Sequence, residues 1–250
     1  MSEFFFSNLS WQIRPGPCIT ENYFMITTIA KGINYLFGSY LQKKNLFISN
    51  SLDYLKRERK LDKKYLDYFR LSSLELISYE IKNKNLEGNV AELGVYKGKF
   101  AKYINQYFPD RTLYLFDTFE GFKTPDIEKE KQNNFSTGDQ NFSDTSVEAV
   151  LSLMPNPGKC KAYKGFFPDT AKDVNDQFVF VSLDTDLYAP LYAGLQFFYP
   201  KLVQGGYIFV HDFNNDSYKG ARKAVEDFCS EQRINFLPLP DSGGSAVIMK

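Results

Sequence analysis

From Asn89 onward the chain alternates short, wholly apolar runs with segments whose apolar residues recur at helical spacing, which is the signature of βα repeats on a mostly parallel sheet. NVAELGV (89–95) predicts a buried strand ending in a glycine turn, GKFAKYINQYF a helix with Phe100, Tyr103, Ile104 and Tyr107 on one face, and TLYLFD (112–117) a second strand. SVEAVLSLM reads as a helix, CKAYKG as a short strand, FVFVSLD (178–184) as a strand covered on both faces, and LYAPLYAGLQFFYPKL as the returning helix. A Gly205-Gly206 turn is expected before a fifth strand, YIFVHD (207–212), followed by SYKGARKAVEDFCSEQ, a helix aligning Ala221, Ala224, Val225 and Phe228. NFLPLP and SAVIMK flank an Asp-Ser-Gly-Gly loop and predict a hairpin, with an antiparallel strand at the sheet edge.

At 250 residues the chain is long enough for one such domain and a modest extension. Lys plus Arg (30) balances Asp plus Glu (30), so no net field gathers nucleic acid or an anionic membrane. Cys18, Cys160 and Cys229 form neither a disulfide framework nor a zinc ligand set, which suits a reducing cytoplasm. MSEFFFSNLSW lacks the parts of a secretory signal, so no export is expected. Tyr23 to Leu41 is interrupted by Lys31, Gly32, Asn34 and Gly38 and reads as an amphipathic or buried helix rather than a membrane span. SLDYLKRERKLDKKYLDYFR has a solvated helix face, and LSSLELISYEIKNKN is a helix with Leu74, Leu76, Ile77 and Ile81 on one side, stopped at residues 85–88. Residues 1–60 are therefore expected to form a helical extension, either a lid or a dimer contact, and residues 61–250 the main domain. Residues 123–142 carry charges, Asn, Gly and Pro without a period and are expected to be a substrate-facing lid loop.

In an open parallel sheet, ligands sit beyond the carboxyl ends of the strands. The first strand end offers Glu92, Gly94 and Gly98, where small residues let backbone approach a ligand; a tight strand-to-helix turn is the alternative, because the spacing is not G-x-G-x-x-G. Asp117 follows at about the twenty-residue spacing of a ribose-binding acid, although an Asp there also caps local N–H groups. Glu92 inside an apolar strand must pair with something, such as a ligand ammonium or nearby N–H groups. The fourth strand ends in Asp184 and Asp186 and the fifth in His211 and Asp212. Carboxylates and an imidazole converging there require a cation or a proton, and a hard divalent ion such as Mg²⁺ fits; Asp186 and Asp212 as caps are the alternative. His211 is the chain's single histidine, so any imidazole base must be this one, unless it serves only a local hydrogen bond. There is no G-x-S-x-G elbow, P-loop or nucleophilic cysteine motif, which ranks hydrolase and phosphotransferase chemistry low. Lys164, Gly165 and the FFPDT run are placed at the same mouth, with Phe116, Phe119, Phe166 and Phe167 read as packing before stacking groups.

The runs AELGVYKGKFAKYINQYFPDRTLYLFDTFEGF, KGFFPDT, LDTDLYAPLYAGLQFFYPKLVQGGYIFVHDF and GARKAVEDF, in unbroken order over about residues 70 to 250, resemble the macrocin O-methyltransferase (TylF-type) family. The resemblance implies a class I S-adenosylmethionine-dependent methyltransferase with a seven-stranded Rossmann-like sheet and Mg²⁺-dependent O-methylation of a sugar hydroxyl. Carried over, Glu92 and Gly94 match the cofactor motif, Asp117 the ribose acid, and Ser143-Asp144-Thr145 the adenine-side loop, with Gly98 and Thr118 completing the expected cofactor set. Asp184 matches the metal-binding aspartate that is also the proposed base. His211 and Asp212 fall where relatives commonly show Asp-Asp. Imidazole in that set weakens Mg²⁺, shifts preference toward Mn²⁺, or leaves His211 as a base without metal. The implied partners are a small-molecule acceptor, a glycoside or nucleotide-linked sugar or a surface-polysaccharide precursor, and a second copy in a homodimer. The sequence leaves two rivals open: a phosphoryl, carboxyl or amine acceptor needing no metal, and a non-catalytic S-adenosylmethionine-binding protein.

Overall fold

The computed structural model describes residues 20–44, 46, 48–49 and 67–250, so most of the expected solvated helix over 51–70 and the N-terminal aromatics Phe4, Phe5, Phe6 and Trp11 lie outside the described residues. The chain divides into two units, Met1–Arg59 and Lys60–Lys250. In the first, α1 (Thr20–Lys43) leaves Ile29, Tyr35, Leu36 and Tyr40 exposed. Among the described residues no helix is long and apolar enough to cross a membrane.

The second unit is a seven-stranded sheet in the order β3-β2-β1-β4-β5-β7-β6. Its strands are β1 (Asn89–Leu93), β2 (Leu113–Asp117), β3 (Cys160–Lys164), β4 (Phe178–Leu183), β5 (Leu202–Val210), β6 (Phe236–Leu239) and β7 (Ser245–Met249). The first five run parallel, while β7 is antiparallel to both β5 and β6. The C-terminal hairpin forms as expected, but its antiparallel strand lies one position in from the edge. The edge belongs to β6, where Pro238, which has no N–H to donate, is tolerated. β5 also begins earlier than expected, at Leu202. Gly205 and Gly206 fall inside it as an irregularity, since Phe178 pairs with Leu202 but Phe180 with Tyr207.

Helices cover both faces: α2 (Tyr68–Asn83), α3 (Lys99–Tyr107) and α5 (Val147–Ser152) on one, α6 (Tyr188–Lys201) and α7 (Lys219–Gln232) on the other. Period-two alternation divides β1 between the faces, sending Ala91 and Leu93 to the core beneath α6 and α7, and Val90 to the core beneath α2 and α3. Glu92 follows Val90. The chain winds outward from β1 through β2 to β3, then returns to lay β4 against the other side of β1. That reversal opens a crevice at the carboxyl ends of β1 and β4.

Candidate active site

The strand register sets the site. Leu93 pairs with Leu183 and Leu183 with Val210, so the residues that follow, Gly94, Asp184 and His211, leave the sheet in one row. Backbone bonds from Asp184 to Leu93 and from His211 to Leu183, at 2.8 and 2.9 Å, extend that pairing one step beyond the strands. Gly94 has φ +85°, and a Cβ there would stand 2.0 Å from the Asp184 carbonyl oxygen. Only glycine lets the two strand-end loops pass so closely.

Above this row lies a cavity of about 370 Å³, lined by Glu92, Gly94, Asp117, Thr118, Asp184, Asp186, His211 and Asp212 among others. Gly165, Phe166 and Phe167 also reach it, whereas Lys164 does not. Gly98, Ser143, Asp144 and Thr145 stay outside the lining. Gly98 packs behind the turn, where a Cβ would meet Val150 at 2.9 Å. Asp144 instead pairs with Lys97 and accepts the Tyr96 hydroxyl at 2.7 Å, and Thr145 donates to the Tyr96 carbonyl. This segment therefore anchors two residues that line the cavity, and Phe142 beside it stacks edge-on against Tyr96 and Phe122 to form an aromatic wall.

Asp117 does what an Asp at a strand end commonly does: Oδ2 accepts from the backbone N–H groups of Val95 and Tyr96 at 2.7 and 2.8 Å, and Oδ1 from Phe119 at 2.7 Å. The carboxylate shapes the β1 turn while its side faces the cavity. Glu92 is 1% exposed, and its Oε2 has no partner. Burial, then the nearby Asp184 charge, pushes its carboxyl well above the usual range, against the pull of Arg70.

On the other side, Nδ1 of His211 lies 3.2 Å from Asp184 Oδ1 and 3.1 Å from Asp212 Oδ2, while Nε2 donates to the Ser242 carbonyl at 2.9 Å. With an acceptor at each nitrogen the ring holds both protons. Burial opposes its charge, but the carboxylates outweigh burial and raise its pKa to about 10. Burial likewise works against Asp184, yet His211 and Arg70 hold it well below the ordinary range. Asp186 moves the other way, pushed up by burial and then by Asp212. Asp186 and Asp212 both adopt left-handed backbone, φ +60° and +57°, a conformation retained by bulkier residues mainly where the surroundings enforce it. Asp212 also serves its loop, accepting from Asn215 Nδ2 at 2.7 Å.

Two features escaped the sequence. Arg70, on α2, is buried and donates to Asp184 Oδ2 at 2.8 Å, with its guanidinium 4.0 Å from the centre of the Phe100 ring. The expected lid loop also contains a helix, α4 (Thr124–Gln132). Glu130 of α4 is fully buried and accepts the Tyr188 N–H at the start of α6 at 2.8 Å. A Cβ at Gly220 would sit 2.8 Å from that carboxylate, so the start of α7 is held against it too. The segment is pinned to two helix starts, with Lys123 and Asp126 turned to the cavity.

A cavity at the reversal of a doubly wound sheet, with a glycine turn on one side and an acid–imidazole cluster on the other, is the layout of a Rossmann-like enzyme that seats a cofactor beside a reacting group. The chain belongs to the macrocin-O-methyltransferase (TylF) family, which matches residues 36–247, and it is an O-methyltransferase. Its fold is shared by the O-methyltransferase NovP, at 20% identity over 72% of this chain and 79% of NovP, with a TM-score of 0.58. CalS11, a calicheamicin methyltransferase, aligns with a TM-score of 0.59 at 18% identity, covering 72% of this chain and 78% of CalS11. A second CalS11 structure, described as a TDP-rhamnose 3'-O-methyltransferase, aligns with a TM-score of 0.51 at 17% identity over the same shares, 72% and 78%. A search of curated proteins finds no significant match.

Proposed function

We propose that the protein transfers the methyl group of S-adenosylmethionine to a sugar hydroxyl of a glycoside or a nucleotide-linked sugar, with a divalent ion at Asp184, His211 and Asp212. The observation that carries this reading is the row of strand-end residues on one cavity, with Gly94 and Asp117 on the β1 and β2 side and the cluster on the β4 and β5 side. A sugar acceptor is in keeping with the activity ascribed to CalS11.

The donor set fits an ion. One atom each from Asp184, His211 and Asp212 lies within 4.8 Å of the others, and the far nitrogen of the imidazole already donates to a carbonyl, as in most metal-bound histidines. Two carboxylates with one imidazole suit Mn²⁺ at least as well as Mg²⁺. When bound, S-adenosylmethionine supplies a methyl group on a good leaving group, and the ion lowers the pKa of the acceptor hydroxyl. That help is needed, because Asp184 is held at low pKa and is a weak base for a free alcohol, while His211 carries its Nδ1 proton only without the ion, which would take that proton's place. Asp117 fixes the β1 turn amides, the glycine turn would admit the donor, and Asp184 would take the proton of the acceptor hydroxyl.

Purified protein, S-adenosylmethionine and a panel of nucleotide-linked sugars and simple glycosides, followed by mass spectrometry, test the reading. A product one methylene heavier, lost on chelation and restored by Mn²⁺ or Mg²⁺, is expected. Activity that survives chelation would remove the metal and favour a phosphoryl, carboxyl or amine acceptor. Failure to bind S-adenosylhomocysteine in calorimetry would remove the donor.

A further inference from the structure

Five residues from four parts of the chain close a ring around the cluster. Asp67, the N-cap of α2, accepts the Arg70 N–H through Oδ1 at 3.1 Å and the Ser242 N–H through Oδ2 at 3.0 Å. The Arg70 side chain continues to Asp184, and Asp184 to Nδ1 of His211. Nε2 of His211 donates to the Ser242 carbonyl, which brings the ring back to its start.

The turn carrying Ser242 is built to stay close. Gly244 N–H bonds the Asp241 carbonyl at 2.9 Å, Asp241 accepts from both the amide and the hydroxyl of Ser245, and Gly243 has φ +79°. A Cβ on Gly243 would lie 2.7 Å from Asp212 Oδ1. Within this turn the amide on one side of Ser242 is clamped by Asp67 while the carbonyl on the other side holds the imidazole. Clamping the first restricts how far the second can swing.

We propose that Asp67 is a positioning residue for His211: through the Ser242 backbone it keeps the carbonyl on Nε2 and thereby keeps Nδ1 turned toward Asp184 and Asp212. An imidazole presents a chosen nitrogen only when the other has a fixed acceptor, because otherwise the ring flips or changes tautomer. Asp67 thus couples α2 to the cluster twice, through Arg70 to Asp184 and through Ser242 to His211. The inference rests on the reading of this cluster as the methyl-transfer site only where it concerns the ion. The Ser242 side chain has no part in it.

His211 is the single histidine, so tag-free protein carrying isotopically labelled histidine reports this ring alone in nuclear magnetic resonance. The wild-type protein should show an Nε2–H signal protected from exchange with water. Asp67→Ser keeps an oxygen able to cap α2 but is too short to reach Ser242. It should lose that protection and weaken Mn²⁺ binding by about tenfold, the order typical for outer partners of a metal ligand. Ser242→Ala should change neither. Should Asp67→Ser fail to fold, Asp67→Asn, with one oxygen for two donors, replaces it and should show the same loss. An unchanged Nε2–H signal and unchanged Mn²⁺ affinity in a folded Asp67 variant would overturn the proposal. If wild-type protein binds no Mn²⁺, the ion assigned above is wrong, and the Nε2–H comparison still decides the role of Asp67.

Discussion

A buried carboxyl group with no donor on one oxygen and another carboxylate nearby favours its protonated form, and Glu92 is in that position. In the unfolded chain it ionises near its ordinary value of 4.5, whereas the folded protein holds the proton to higher pH. The folded state therefore binds more protons above that point, and this group's stabilising contribution, complete at lower pH, is lost as pH rises through the raised value. Denaturant unfolding should show wild-type stability declining as pH rises from the ordinary 4.5 through the raised value, with Glu92→Gln flatter and more stable above it. An identical slope in the variant would mean that Glu92 is ionised in the fold. For Asp184→Asn we expect turnover to fall by roughly 10²- to 10⁴-fold, with S-adenosylhomocysteine affinity within about twofold of wild type; unchanged turnover would take Asp184 out of the mechanism. At this scale the sequence was informative about single residues: Glu92 stands out in an apolar strand, and Asp184 and His211 end theirs. It said nothing of Arg70, because an arginine on a helix looks solvated until the fold brings it to an aspartate 114 residues away.

Elements were legible wherever burial is written in apolar residues. The strands and α3, α6 and α7 follow their periodicities, and the registers of β1, β4 and β5 turn three strand ends into one row. α4 was not legible, because the contact that secures it is made by a carboxylate. Hydropathy reads Glu130 as solvent-facing, while the fold buries it at the N-terminal end of α6, where it accepts an otherwise unpaired N–H; burial outweighs that bond and raises its carboxyl pKa. Glu130→Ala should cost about 1–3 kcal/mol in denaturant unfolding, since it leaves the part-buried Tyr188 amide without its acceptor. Glu130→Gln, which keeps an oxygen there, should recover most of that loss. An Ala variant as stable as wild type would show that α4 is secured by something else. The early start of β5 was hidden for a related reason: adjacent glycines signal a turn in sequence, and here Leu202 and Tyr207 on either side pair with β4 while backbone bonds to Lys250 hold the glycines inside the strand.

For the whole molecule, an ion that binds only the folded state stabilises it by about 2.7 kcal/mol at a hundred times its dissociation constant. The thermal transition of chelator-treated protein should thus climb with added Mn²⁺ in the wild type and stay flat in Asp212→Asn. A rise of equal size in the variant would place the ion elsewhere. The sequence by itself determined the class of sheet, the order of its repeats and the family, because alternating apolar runs and strand-end residues are local patterns that survive without knowledge of their neighbours. Only the tertiary structure decided which strand ends meet, that Asp117 is engaged by the backbone of the β1 turn, that His211 is held between two carboxylates and a carbonyl, and that Asp67 and Arg70 reach the cluster from α2. Those are contacts between residues far apart in the chain, and they exist only once the winding reverses at β1 and β4 and burial leaves each charge no partner but another part of the protein.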